Sequence, residues 1–497
     1  MQGERYIAAA DLGSSKIALC VAKVEGDDVQ VIYYKEVPSD GVSHSYVLNP
    51  KRASEPLKRI IADAENELNI KILQLVIGLP RYQVRQEIAK AVIKRSDPSS
   101  CITKEEITNL KSMAINSYPL DNEARQKIYG AVAQSFSADD ELINASEDDI
   151  VGMTADKIEG NFKVFIGNEK AVSNLDIMLN DAGVAPAYKF FVPGCTASVV
   201  LNESEKENGV ALVEIGAGVT SLTIYKGKRL RHYSSIPFGS STITSDIKYE
   251  CGFNHELAEN IKLAFGACMP DKLQSLSEKV IQINDEENGS YEQLPVKYLS
   301  EIITCRAREI VEAVLFHIQE SGYADSLRSG MVITGGGANL VNLANFIKQE
   351  SGYNVRVGYP RTQMFSSGGC PGVGETGSVA TLGMILDARK DYHLNCIEEI
   401  PAEVVGEGDS VADDVDKDVP SIDDKGNGEI FAVPELGGVI TTDTNTSRRR
   451  KKNKSGSGEG HAFWEKIKKK VNNGLEDAFE TTVGGLFDSM GQTGKEK

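Results

Sequence analysis

Along the first 396 residues the apolar positions follow two alternating periods. Runs such as Ile7 to Leu12 and Val210 to Ile215 are nearly continuous and end at a glycine, as strands buried on both faces do. The stretches between them space their apolar residues three and four apart, the period of amphipathic helices. Strands alternating with helices in this way predict an α/β protein.

One pattern occurs twice. The segment IAAADLGSSKIALCVAKV at 7–24, followed by VQVIYY at 29–34, reads strand, acid, any residue, glycine, tight turn, strand. The same order returns as VALVEIGAGVTSLTIYKG at 210–227, followed by LRHYSSI at 230–236. Asp11 aligns with Glu214, Gly13 with Gly216, and Ile17 to Leu19 with Thr220 to Leu222. The repeat predicts two duplicated domains. Between them, Arg81 to Ile166 reads as an inserted subdomain, with a capped helix at Thr103 to Glu106, an acidic loop near Asp139 to Asp149, and the parent strand pattern resuming at Val164 to Ile166. The expected division is a first domain of 1–80 and 167–200 with 370–396, an insert of 81–166, and a second domain of 201–369.

After residue 396 the pattern changes. Residues 397–460 are acidic, then rich in Thr, Asn, Arg and Lys, then SGSGEG. With few large apolar residues they cannot offset the entropy of ordering, and a tether reaching about 45 Å is expected. At 461–490 helical periodicity returns. Phe463, Trp464, Ile467, Val471 and Leu475 share one face, with Lys466, Lys469 and Lys470 opposite. A second stripe through Phe479, Val483, Leu486 and Phe487 is rotated by about 120°, so a break is expected near Gly474 or Gly484. A basic run, Arg448 to Lys452, precedes this helix. The combination suits an anionic membrane surface, against the alternative of a helix packed on its own body or a partner.

Composition narrows the class. With 497 residues, 41% hydrophobic and 25% charged, the chain can build several cores. No run approaches the eighteen or so apolar residues of a spanning helix, and the N-terminus lacks a signal peptide's form, so a cytoplasmic protein is expected. The net charge of −18 is uneven. Residues 397–447 hold fourteen acids against two lysines, and 448–497 hold twelve bases against seven acids. The remaining body is acidic too, which argues against nucleic acid as a partner. Eight scattered cysteines without a C-x-x-C predict buried free thiols rather than a zinc site or disulfides.

The repeated hairpins carry the candidate chemistry. Each ends a strand with a carboxylate, Asp11 or Glu214, and follows it with a small-residue turn, Gly13, Ser14 and Ser15 or Gly216, Ala217 and Gly218. Such turns aim backbone N–H groups at phosphate oxygens. Asp11 can hold Mg²⁺ through water, and Lys16 can add a point charge. A third element, MVITGGGANLVNL at 331–343, reads as a strand running through Gly335, Gly336 and Gly337 past Asn339 into a helix whose N-terminus accepts a ligand. A fourth, Glu259 and Lys262 one helical turn apart, is by itself indistinguishable from a surface ion pair.

In this order the four elements resemble the actin-like ATPase superfamily, whose fold is two duplicated ribonuclease-H-like domains. DLGSSK and EIGAGVT, the latter running to Thr220, resemble the two phosphate motifs, TGGGANL the adenosine motif, and AENIK at 258–262 the helix that contacts ribose and adenine. PGCTASVV at 193–200 and GETGSVATLGM at 374–384 fall where the connecting helices would lie. Glu214 departs from the Asp usual in the second motif. Within the superfamily, the placement of the insert, SSIPFGSSTITSDIKYECG at 234–252, LSEIITCRAREI at 299–310 and the tether with its terminal helix resemble the FtsA family of bacterial cell-division proteins.

That resemblance implies an ATP- and Mg²⁺-binding adaptor with at most slow ATPase activity. It would bind the C-terminal tail of the tubulin-like FtsZ, for which Arg306 on the 299–310 helix is a candidate. It would also polymerise into actin-like filaments, recruit later division proteins, and sit on the cytoplasmic face of the membrane at the septum. The alternatives on the same fold are a small-molecule kinase, which would need a general base that does not stand out here, a pilus-assembly scaffold, and a chaperone ATPase.

Overall fold

The computed structural model of the chain describes residues 4–139, 142–285 and 290–399. All belong to one compact unit; from residue 400 onward, the tether expected at 397–460 and the helix expected at 461–490 lie outside the described residues.

Two five-stranded sheets have the same order and strand directions. In the first, Arg5–Leu12 is central, pairs antiparallel with Lys16–Glu25, which pairs with Asp28–Pro38, and pairs parallel with Gln74–Gly78, beside which lies Ala185–Phe190. In the second, Val210–Ile215 is central between Thr220–Lys226, with Arg229–Ile236 beyond it, and the parallel strands Met331–Thr334 and Val355–Val357. The duplication expected from sequence is therefore a duplication of topology.

Strand alternation decides where each side chain points. Along 210–215, Ala211, Val213 and Ile215 enter the core of the second half, whereas Val210 and Leu212 enter the core of the first. Glu214 continues the second row. Between the sheets run two helices, Val192–Val200 and Val379–Ala388, the latter buried along nearly its whole length and apolar all round. They cross where a Cβ on Gly383 would lie 2.4 Å from the Cys195 carbonyl oxygen.

The insert is a four-stranded antiparallel sheet ordered Leu142–Ala145, Gln126–Ala138, Lys157–Asn168, Arg85–Lys94. The helix Lys104–Ser117 covers it through Ile107, Leu110 and Ala114 and starts in the capping box of Thr103 and Glu106. Two expectations change here. Val164 to Ile166 belong to the insert's own sheet, because Lys157–Asn168 pairs with strands 85–94 and 126–138; the first main sheet resumes only at Ala185–Phe190. The expected acidic loop contains a strand, Leu142–Ala145, and a capped helical turn, Glu147–Ile150, since Ser146 and Asp149 cap each other.

The insert leans on the outer strand of the second sheet. Gln134 Nε2 donates to the Leu230 carbonyl at 2.9 Å, Tyr233 N–H donates to Gln86 Oε1 at 3.1 Å, and Lys163 donates to the Arg231 carbonyl. His232, paired with Gln86, is held at a pKa of about 4 by burial and by nearby Lys163.

Two further readings are corrected. Ile397–Glu399 is not tether but a short strand antiparallel to Ile70–Ile72. Of the cysteines, Cys20, Cys195, Cys268 and Cys396 are buried as expected, Cys101 is exposed, and the other three are intermediate.

The crossing of the two central helices yields a prediction. Gly383→Val should destabilise the fold by about 1–3 kcal/mol, the usual cost of overpacking, measured by urea unfolding. A variant as stable as wild type would show that the helices separate freely.

Candidate functional site

Where the two halves face each other lies a cleft of ≈ 440 Å³, within the roughly 300–1,000 Å³ of small-molecule sites. Of the residues expected from sequence, it brings together Asp11, Gly13, Ser14, Ser15, Lys16, Glu214, Gly216, Ala217, Gly218, Glu259, Lys262, Gly335, Gly336, Gly337 and Asn339.

The two turns have one geometry. Gly13 N–H donates to the Lys16 carbonyl at 3.0 Å and Gly216 N–H to the Val219 carbonyl at 2.9 Å. A Cβ at either glycine would press on that same carbonyl, at 2.7 and 2.9 Å, so both positions require glycine. These two amides close the turns and are not donors to a ligand, which narrows the expected set of phosphate-facing N–H groups. The turns also approach one another, for a Cβ on Gly218 would stand 2.7 Å from Ser14 Oγ.

Thr220 does not join the site. It pairs with Ile215 at the start of its strand and is buried, while Ser221, opposite Glu214, lines the cleft. The period-two alternation of the strand puts the neighbour, not Thr220, on that face.

Glu259 and Lys262 are not a surface pair. Lys262 is 7% exposed and donates to Glu259 Oε2 at 2.8 Å, Thr244 Oγ1 at 2.8 Å and the Ser240 carbonyl at 3.2 Å, binding helix His255–Phe265 to helix Ser240–Cys251. The latter begins where Ser240 N–H and Ser241 N–H donate to the carbonyls of Gly216 and Ala217, so it carries the second turn.

The three glycines after strand 331–334 do not open an α-helix. Gly336–Asn339 is a single 3-10 turn and the helix begins only at Leu343, because Gly335 has φ +83° and breaks the chain direction. The helix N-terminus expected beside the ligand is therefore absent from the cleft. The glycine turn is held instead by Thr376, whose Oγ1 lies 2.9 Å from the Gly335 carbonyl and 3.1 Å from Asn339 Oδ1, joining it to the segment leading into helix 379–388.

Sequence reasoning missed the side chain at the centre. Arg81, just past strand 74–78, donates from Nη2 to Asp11 Oδ1 at 2.6 Å and from Nη1 to Glu214 Oε1, bridging the two halves. The side chains are 12%, 20% and 9% exposed for Arg81, Asp11 and Glu214. Burial disfavours the charged guanidinium, but Asp11 and Glu214 outweigh it and hold Arg81 above its ordinary pKa. Thr196 Oγ1 donates to Glu214 Oε2 at 3.3 Å, and Tyr233 O–H donates to the Arg81 carbonyl. Beside them, Glu36 Oε1 accepts from Lys16 at 2.6 Å and Tyr34 at 2.5 Å. Burial, then the Glu36 carboxylate, pushes the Tyr34 phenol well up, so it remains a donor.

Arg306 lies in a longer helix than expected, Val296–Glu320, outside this cleft. Its guanidinium is bidentate on Asp246, at 2.6 and 3.0 Å, and also contacts Glu309.

Paired sheets of one topology, with the two turns facing each other across a cleft, define an actin-like ATPase fold. A family model described as "Cell division protein FtsA" matches residues 211–369. The cell division protein FtsA of Neisseria meningitidis serogroup B is 28% identical over 364 residues, covering 72% of this chain and 85% of that protein. The FtsA of Borreliella burgdorferi is 26% identical over 407 residues, covering 80% and 94%. The chain is similar to FtsA cell-division proteins over most of its length. Among solved structures, the PilM-PilN type IV pilus biogenesis complex shares the fold, with a TM-score of 0.52 at 14% identity, covering 77% of this chain and 98% of that one.

The glycine turn separates two effects. A Cβ on Gly337 would meet Ile215 Cγ2 at 2.5 Å, whereas one on Gly336 meets nothing within 4 Å. Gly337→Ala should therefore cost about 1–3 kcal/mol and Gly336→Ala no more than about 0.5 kcal/mol in urea unfolding. Equal costs would contradict this placement.

Proposed function

We propose that the cleft binds ATP with Mg²⁺ and that the protein is an adaptor of the bacterial division ring. It holds the C-terminal tail of FtsZ, polymerises through its actin-like body, and lies as a peripheral protein on the cytoplasmic face of the membrane at the septum, where it recruits later division proteins. The observation that supports this best is the meeting of four sequence-distant motifs in one cleft, in a chain similar to FtsA cell-division proteins.

The donor set suits the ion. Of the four carboxylates that line the cleft, Glu36 and Glu259 hold Lys16 and Lys262, which leaves Asp11 and Glu214, both on Arg81, as oxygens for an ion. A cation held by few protein oxygens keeps much of its water, as Mg²⁺ prefers. When bound, Mg²⁺ supplies positive charge that offsets charge on the transferring phosphoryl group. Asp11 would hold the ion through water. Ser14, Ser15, Ala217 and Gly218 would bound the phosphates, and Lys16 would add its charge on leaving Glu36. Glu259 and Lys262 lie where ribose would contact the second half, and Gly335 to Gly337 with Asn339 would flank the adenosine. Glu214 would orient the attacking water, but its side chain is one methylene longer than Asp, a displacement of about 1.5 Å. Slow hydrolysis follows, in keeping with a scaffold rather than a metabolic enzyme.

Among the described residues no helix is long and apolar enough to cross a membrane. The apolar face and flanking lysines of residues 461–490 support attachment through that segment. Burial of Phe463, Trp464, Ile467, Val471 and Leu475 at roughly 1.5–3 kcal/mol each is largely offset by ordering the segment, so one copy binds weakly and a filament binds through avidity. For the FtsZ tail, Arg306 serves only by exchanging Asp246 or Glu309 for a peptide carboxylate. Arg306→Glu would instead gather three carboxylates, so Arg306→Gln is the cleaner variant.

Three outcomes are expected. Gly336→Asp, which the backbone accommodates, should lower ATP affinity at least tenfold in calorimetry, about 1.4 kcal/mol, with unchanged unfolding; wild-type affinity would remove the site assignment. Steady-state hydrolysis should fall well below the roughly 10 per second of a median enzyme, and a rate near that value, raised by a small-molecule acceptor, would favour a kinase. Trp464→Glu should release the protein from anionic liposomes while ATP binding persists; co-sedimentation at the wild-type level would refute the anchor.

A further inference from the structure

Reading the cleft as a magnesium–nucleotide site leaves Arg81 without a role. Four carboxylates line the cleft, Asp11, Glu36, Glu214 and Glu259, against three cations, Lys16, Arg81 and Lys262. Each cation already has a carboxylate: Lys16 lies 2.6 Å from Glu36, Lys262 2.8 Å from Glu259, and Arg81 2.6 Å from Asp11 while also contacting Glu214. The wall as it stands carries one net negative charge and no uncommitted cation, a poor receptor for a polyphosphate.

A guanidinium and a hydrated divalent cation cannot both occupy the space between Asp11 and Glu214. We propose that Arg81 sets the divalent-cation requirement of the cleft: its guanidinium holds both carboxylates, a hydrated Mg²⁺ arriving with the nucleotide would displace it, and the freed guanidinium would be available to the phosphates. The inference rests on the cleft being a magnesium–nucleotide site. The exchange changes the wall by two positive charges, from one net negative to one net positive, and frees a planar donor suited to phosphate. Nothing else on the wall can do this, because Lys16 and Lys262 are bound to carboxylates of their own half, at 20 and 3 residues' separation, whereas Arg81 reaches Asp11 and Glu214 across 70 and 133. The Arg81 backbone is anchored meanwhile, since its carbonyl accepts from buried Tyr233, so the exchange is confined to the side chain.

The test compares the full chain with Arg81→Gln, by thermal unfolding and calorimetry. Magnesium chloride alone should raise the unfolding midpoint of Arg81→Gln and leave wild type unmoved, because a ligand stabilises the state it binds and only the variant offers two carboxylates without a cation. ATP in the presence of EDTA should bind the variant at least about tenfold more weakly than wild type, a factor ordinary for coupled sites, because those carboxylates then face the phosphates. An equal response to Mg²⁺ in the two proteins, or equal metal-free ATP affinity, would overturn the exchange and mark Arg81 as a fixed staple. Should Arg81→Gln fail to fold, Arg81→Lys, which can reach only one of the two carboxylates, should still gain a Mg²⁺ response; wild-type behaviour there would also overturn it. Failure of wild type to bind ATP with Mg²⁺ would instead remove the site reading, and the exchange with it.

Discussion

Two carboxylates on one guanidinium set the relation between the halves. Asp11 and Glu214 end the central strands of two sheets with the same topology, so the duplication itself delivers two like charges to one cleft. Charges of the same sign a few ångströms apart in a partly buried site repel by about 2–4 kcal/mol, and removing one partner of such a buried pair is usually costlier than the pair is worth. Arg81 resolves the conflict from a third position, the entrance to the insert. Sheets, turns and insert are thereby tied to one charge balance.

The architecture was legible because it is written in local patterns. Buried strands, glycine turns and the cap at Thr103 and Glu106 are short-range features, and the repetition of strand and turn at 7 and 210 exposed the duplication directly. Most of the cleft was legible for the same reason, since Asp11 and Glu214 each stand in a recurring strand–turn unit. What was not legible depended on contacts between distant residues. Arg81 lies 70 residues from Asp11 and 133 from Glu214, and nothing local distinguishes it from Arg85 or Arg95. An arginine just after a strand that ends in Gly78, Leu79 and Pro80 was the one available signal. Thr220 failed for a subtler reason: motif resemblance selects a position, whereas strand parity selects the face, and parity assigned that face to Ser221. The glycine run failed because three glycines signal close approach without saying whether an α-helix or a 3-10 turn follows.

Lys262 illustrates how burial changes meaning. The same two residues that read as a solvated pair on a helix face become a joint between two helices once the lysine is enclosed and given three acceptors. Because one of those helices carries the second turn, a residue expected to touch a ligand also holds part of the cleft in place. Substitutions there will mix loss of contact with loss of shape.

The lean of the insert against strand 229–236 has a consequence for solubility. An outermost strand offers a row of unpaired amides and carbonyls that other chains can zip onto. Here side chains of the insert occupy that row: Gln134 and Lys163 take the carbonyls of Leu230 and Arg231, and Gln86 takes the amide of Tyr233. The insert thus works as a cap against edge-to-edge aggregation. A chain trimmed of residues 85–168 would retain every strand of both main sheets but lose Phe165 and Tyr129 from the first core and expose a strand ready to stick to its neighbours, so shortening this protein calls for a charged or proline substitution on that edge and a repacked core.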